Sequence, residues 1–263
     1  MSAVSDGLDQ GLSVRSAASS DADASMHSPS TPHRGSRVSD PFRFDTALLA
    51  EDKERSQDKE RSHVSPRGGL RVAGADEAGR GCLAGPLVAA AVILDYEHAP
   101  FKRLARLTDS KLLSVVARED LYGEILSSAA KVAWAACSPQ TIDSDGLHRS
   151  NLFALRRALE LLEDDYCLAI VDGFDLDRAD LRVRAIVAAD FKSAVVAAAS
   201  VVAKVVRDRL MRNLAPLHPE YGFADHVGYG TERHRQALLK NGPCPLHRLS
   251  FRGVGSRQLT FPE

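Results

Sequence analysis

The chain lacks the marks of several large protein classes. It has four cysteines, Cys82, Cys137, Cys167 and Cys244, and no two of them form a CxxC pair. A zinc site built on paired thiols is not indicated, and so sparse a set suits a reducing cytoplasm, the expected location. Long apolar runs are missing too. The longest candidate, residues 194–206, is interrupted by Ser200 and Lys204 and is too short to cross a bilayer. The first 21 residues hold no apolar stretch of the kind a secretory signal needs. No membrane partner is expected. No GK[ST] triplet occurs, so a Walker A phosphate loop is excluded. Charge of one sign is not in excess either. The formal net charge is −1, which by itself argues against a nucleic-acid binder.

What is present is unevenly distributed. Residues 204–257 carry ten Lys or Arg against four Asp or Glu, with four His. A basic C-terminal third beside acidic motifs fits a surface that grips phosphates next to a site that holds metal. A solvated helix face accounts for the same counts. Residues 1–65 are rich in Ser, Asp, Arg and Pro, with scattered apolar residues and a charged stretch at 51–61 (EDKERSQDKER). A disordered polar tail is expected there. Residues 66–257 suit one catalytic domain, followed by a short tail over 258–263.

Within that domain, apolar periodicity predicts strands over 70–77, 86–94, 131–137, 167–172 and 183–188. It predicts helices over 110–130, 151–163, 193–214 and 231–240. Strands that first cluster and then alternate with helices imply an α/β sheet covered by helices.

Acids stand at the ends of three of these strands. Asp76 and Glu77 are adjacent, Asp172 precedes Gly173, and Asp190 precedes the long helix. Ligands gather beyond the carboxyl ends of strands in open α/β sheets, and a two-metal site needs carboxylates from several elements. Asp76 and Glu77 cannot both face one side of a regular strand, so the strand end or the turn must bring the second acid in. Taken singly, Asp190 also fits a cap for the helix that starts near Ser193, and Asp172 a turn. Asp175, Asp177 and Asp180 resemble the start of a calcium loop but lack its Gly and closing Glu. Asp208, among Arg207 and Arg209, reads as an ion-pair partner.

Directly after the paired acids comes Gly79-Arg80-Gly81-Cys82-Leu83-Ala84, which formally matches a dinucleotide-binding glycine pattern. That pattern should open a helix, and here Pro86 and a β-type run follow. A tight connection between two strands fits better, with bare backbone that can approach a sugar or phosphate.

Together these segments resemble the ribonuclease HII family, the bacterial type 2 ribonucleases H. The resemblance runs through DEAGRG with LAGPLVAAAVIL, DSKL at 109–112, VDG at 171–173 and DFKSAVVAAASVVAKVVRD at 190–208. It closes with Tyr221-Gly222-Phe223, Gly228-Tyr229-Gly230-Thr231 with His234, and Gly242-Pro243-Cys244-Pro245 with His247-Arg248. It covers about residues 70–252.

The resemblance implies a ribonuclease H-like α/β fold: a mixed five-stranded sheet flanked by helices, with a helical C-terminal part. It implies that Asp76, Glu77, Asp172 and Asp190 bind two Mn²⁺ or Mg²⁺ ions. Gly79, Arg80 and Gly81 match the loop that reads a 2′-OH, Tyr229 the tyrosine that stacks on the next sugar, and Lys111 a lysine near a phosphate. The implied activity is hydrolysis of RNA in RNA–DNA hybrids and cleavage 5′ to ribonucleotides embedded in duplex DNA, by a monomer. A ribonuclease HIII-like enzyme and a non-catalytic RNA–DNA junction-binding module are the alternatives. Three residues depart from the family pattern: Cys82 where Pro is common, Phe174 where Asn is common and Ala189 where Gly is common. At the C-terminus, Gln258-Leu259-Thr260-Phe261 loosely resembles a sliding-clamp-binding peptide, but the match is short and a frayed tail fits better.

Overall fold

Strand pairing places the acids. In the computed structural model, which describes residues 12–15, 40–57, 69–107, 113–163, 165–177 and 181–255, β2 (Arg71–Ala78) pairs antiparallel with β3 (Leu87–Asp95), from Arg71 opposite Asp95 to Ala78 opposite Val88. The other strands are β1 (Leu12–Arg15), β4 (Lys131–Cys137), β5 (Leu168–Asp172) and β6 (Val183–Ile186). The sheet order is β1-β4-β3-β2-β5-β6. β2 and β5 are parallel, as are β5 and β6. Strands β2 to β6 are the expected mixed five-stranded sheet, and β1 adds an edge strand to β4.

Helices cover both faces. Val72, Val88, Ala90 and Val92 belong to the core shared with α2 (Val115–Ser128) and α5 (Ala194–Leu214). Ala73, Ala75, Leu87, Ala89 and Ala91 pack on the other side, with α4 (Leu147–Glu160). This two-sided burial is why β3 reads as a continuous apolar run instead of an alternating one. A Cβ on Gly74 would stand 2.3 Å from the Val195 carbonyl carbon, so glycine there lets α5 lie directly against β2. Hydroxyl caps set several helix starts: Ser114, Ser138, Ser193 and Thr231 each accept a first-turn N–H. A third core, built on Leu83, Met211, Phe223 and Leu238, joins α6 (Phe223–His226) and α7 (Glu232–Asn241) to the domain as its helical C-terminal part.

Several segments differ from expectation, among them β1, which lies inside the tail expected to be disordered. A short α3 (Pro139–Asp145) lies between β4 and α4. More consequentially, the polar tail expected over residues 1–65 contains α1 (Pro41–Gln57). Leu49 is 5% exposed and Asp45 0%, with Phe42 and Leu48 packed on the same core. The helical face at 42, 45 and 49 is narrow and is masked in sequence by the charged residues that follow. Lys111 and Gln258 to Phe261 lie outside the described residues. Among the described residues, no helix is long and apolar enough to cross a membrane.

Candidate active site

Asp76, Glu77, Asp172 and Asp190 line one open cleft, together with Gly79, Ser200, Lys204 and Tyr229. β2 continues through Ala78, so Asp76 and Glu77 stay on opposite faces. The Ser200 hydroxyl on α5 donates to Asp76. Glu77 faces Asn151 of α4, a fully buried amide that makes no well-formed hydrogen bond. Both acids nonetheless line the same cleft. Asp76 is 7% exposed, and burial, then the Glu77 charge, pushes its carboxyl up to about 7. Burial also raises Glu77, opposed by the Arg80 guanidinium, whose Nη1 stands 3.9 Å from Glu77 Oε1.

Asp172 ends β5 as expected, and its Oδ1 accepts the Ala189 N–H at 2.7 Å. Asp190 does not end a strand. β6 stops at Ile186, Ala188 adopts φ 57°, and Asp190 sits in a 3₁₀ turn over Ala189–Phe191. Nor does it cap α5, because Ser193 does. Ala189 carries no positive φ, so the glycine common there is dispensable.

The Gly-Arg-Gly loop is held from beneath by two buried arginines. Arg207 donates to Ala84 O, Pro86 O and Val227 O at 3.1, 3.0 and 2.9 Å. Arg248 donates to Gly85 O through Nε and Nη2 and to Arg80 O through Nη1 at 3.0 Å. Both are 0% exposed, so these members of the basic C-terminal third face neither phosphate nor solvent. Cys82 donates its N–H to Gly79 O at 3.2 Å, a turn bond that proline would forfeit. Arg80 lies over the Phe174 ring at 4.7 Å, which gives that departure a packing role.

The Tyr229 ring is 38% exposed, with Lys204 Nζ 4.9 Å from its centroid. Lys204 is held by Asp208 at 2.7 Å, the ion pair expected of that acid. Gly228 does not serve ring exposure: a Cβ there would meet Ala84 O at 2.3 Å. Behind the tyrosine, three groups form a hydrogen-bond chain. The Cys244 N–H donates to His247 Nδ1 at 3.0 Å, so His247 carries its proton on Nε2 and donates to His234 Nε2 at 3.1 Å. His234 Nδ1–H then donates to Tyr229 O at 2.9 Å. Burial and the neighbouring His234 push His247 down to about 4.

Sequence reasoning missed Asn151, Ser200 and the buried arginines. Asn151 had a signal: it is a lone amide on the stripe formed by Ala154, Leu155 and Ala158. An all-oxygen set of mutually repelling, partly buried carboxylates fits hard divalent cations. Among the described residues, no three acids, histidines or cysteines close into a ready metal cage. Mg²⁺ commonly takes one or two carboxylates with waters and substrate phosphates, which suits an open arrangement.

A mixed sheet that gathers carboxylates at its strand ends beside a basic helix defines a nuclease of the ribonuclease H architecture. The chain resembles the ribonuclease H2 of Pyrococcus horikoshii, with TM-score 0.57 and 27% identity over 71% of this chain and 96% of that one. It resembles equally the ribonuclease HII solved with PCNA from Archaeoglobus fulgidus, with TM-score 0.57 and 32% identity over 70% and 96%. The Ribonuclease HII family model matches residues 73–254. Ribonuclease HII of Rhizobium johnstonii is 46% identical over 213 residues, 81% of this chain and 89% of the relative. That of Xanthobacter autotrophicus is 50% identical over 192 residues, 73% and 75%. The chain belongs to the ribonuclease HII family, and is an endoribonuclease of the ribonuclease H kind acting on RNA–DNA hybrids.

Proposed function

We propose that the chain, as a cytoplasmic monomer, also cuts 5′ to single ribonucleotides embedded in duplex DNA, leaving 3′-hydroxyl and 5′-phosphate ends. The observation that carries this reading is the meeting of Asp76, Glu77, Asp172 and Asp190 with Lys204 and Tyr229 in one cleft. The four carboxylates would hold two Mn²⁺ or Mg²⁺ ions, whose chemistry would be to activate a water and to stabilise charge at the departing 3′ oxygen. Lys204 and Lys111 meet substrate phosphates. Gly79, Arg80 and Gly81 admit the ribose 2′-OH, the group that separates RNA from DNA, and Tyr229 stacks on the following sugar. A junction-binding module without catalysis gains nothing from four acids that repel phosphate.

Full-length protein incubated with a DNA duplex carrying one ribonucleotide, with Mn²⁺ or Mg²⁺, yields a single cut on its 5′ side. Asp76→Asn slows that cut at least ~100-fold, the scale of losing one group that stabilises transition-state charge. A wild-type protein that leaves this substrate whole would sink the reading. The Archaeoglobus relative was solved with PCNA, which supports Gln258 to Phe261 as a clamp-binding peptide in this chain. A pull-down with clamp that survives deletion of residues 258–263 refutes that assignment.

A further inference from the structure

The matched family region begins at residue 73, yet the helix that carries Ser200 and Lys204 is capped by a residue upstream of it. Asp45 of α1 is 0% exposed. Its Oδ2 accepts the Val195 N–H at 3.1 Å and the Tyr96 hydroxyl at 2.5 Å. The Ala194 N–H and the Ser193 hydroxyl face the same carboxyl. A helix start leaves four N–H groups without intrahelical partners. In α5, Asp45 serves Ala194 and Val195, Ser193 Oγ takes Val196 at 3.3 Å, and Ala189 O takes the Ser193 N–H at 2.8 Å. The negative end of this arrangement also lies where the helix dipole favours it.

α1 is fastened on three further sides. Phe42 stacks on Phe101 at 5.6 Å, Asp52 pairs with Arg184 of β6 at 2.9 Å, and Leu49 enters the core. The turn that bears Asp190 is thus pinned at both ends. Asp172 holds Ala189 N–H at one end, and Ser193, which donates its N–H to Ala189 O at 2.8 Å, sits beside Asp45 at the other.

We propose that Asp45 is a positioning residue for the active site: α1 supplies, from a distant part of the chain, the cap that fixes the start of α5 and, through Ser193, the place of Asp190. The inference rests on the carboxylate reading of the site and extends the working domain to residue 41.

The test uses full-length Asp45→Ala, Asp45→Asn and, as a packing control on the same helix, Leu49→Ala. In metal-free protein, Asp45→Ala speeds hydrogen exchange of the Val195 and Val196 amides at least tenfold, and Asp45→Asn, which keeps an acceptor oxygen, brings it back to within threefold of wild type. Calorimetric titration with Mn²⁺ alone gives a Kd at least fivefold weaker for Asp45→Ala than for Leu49→Ala, compared at a temperature equally far below each Tm. Equal Mn²⁺ affinity in those two variants, or unchanged exchange at Val195, overturns the proposal. The exchange arm is read without substrate or metal, so it decides the cap even if cleavage of embedded ribonucleotides fails.

Discussion

Gly79→Ala and Gly81→Ala alter one tripeptide, and the structure assigns them opposite consequences. Gly79 has φ +90°, and a Cβ there would stand 1.8 Å from Arg207 Nε and 2.4 Å from its Cδ. Arg207 cannot swing aside cheaply, because it is 0% exposed and bonded to three carbonyls. A left-handed conformation costs an L residue ~1–2 kcal/mol. Each charged hydrogen bond lost from a buried carbonyl costs ~1.5–3 kcal/mol. The strain and one such bond already sum to ~2.5–5 kcal/mol, a large part of the ~5–15 kcal/mol that holds a domain folded. Gly81 is exposed, has no positive φ, and no atom lies within 4 Å of a Cβ placed on it. Alanine there shifts stability by less than ~1 kcal/mol but puts a methyl where bare backbone is proposed to meet the ribose. Urea unfolding separates the two: at ~2–3 kcal/mol per molar, Gly79→Ala loses more than ~1 M in midpoint while Gly81→Ala stays near wild type. Gly81→Ala then cleaves the embedded-ribonucleotide duplex at least ~10-fold more slowly, the loss that ~1.4 kcal/mol in the barrier produces. A Gly79→Ala midpoint within experimental error of wild type would refute the argument from Arg207.

Two further outcomes follow from buried charge. Asp76 is desolvated beside Glu77 and Asp172, so without metal Asp76→Asn raises stability at pH 8 by ~1–3 kcal/mol, the usual worth of relieving a poorly paired buried charge, even as it slows cleavage; a lower Tm than wild type contradicts this. His247 is 2% exposed and pushed from 6.5 down to about 4. The unfolded chain therefore binds its proton first as pH falls, and the stability present above pH 6.5 is lost progressively between 6.5 and 4. At 1.36 kcal/mol per unit, reduced for residual screening, the loss is ~2–3 kcal/mol. His247→Gln flattens the fall of Tm between pH 7.5 and 5, and an unchanged slope counts against the His234–His247 chain.

The carboxylates were legible because each interrupts an apolar run: Asp76 after Ala75, Asp172 after Val171. Asp190 was legible as an acid of the cleft but not in its local geometry, since the left-handed Ala188 that ends β6 early carries no local signature. α1 was hidden because its buried face is a few residues wide and adjoins a charged stretch, so composition outweighed period. Tyr229 lines the cleft, but its flanking glycines do not answer to the ring: a Cβ on Gly228 would meet the Ala84 carbonyl, and one on Gly230 the Leu83 and Arg235 side chains.

The basic C-terminal third is where the charge count and the physics part most clearly. The Gly79–Pro86 connection does not pair its carbonyls within a regular hairpin, and buried carbonyls left open are costly. Cys82 N–H takes Gly79 O, Arg248 takes Arg80 O and Gly85 O with its side chain and Leu83 O with its N–H, and Arg207 takes Ala84 O and Pro86 O. The two buried arginines thus hold the loop proposed for recognition, and their own side chains are buried away from the surface. They fix the loop so that Gly81 stays uncovered, and charge that a sequence assigns to phosphate instead stabilises the backbone beside it.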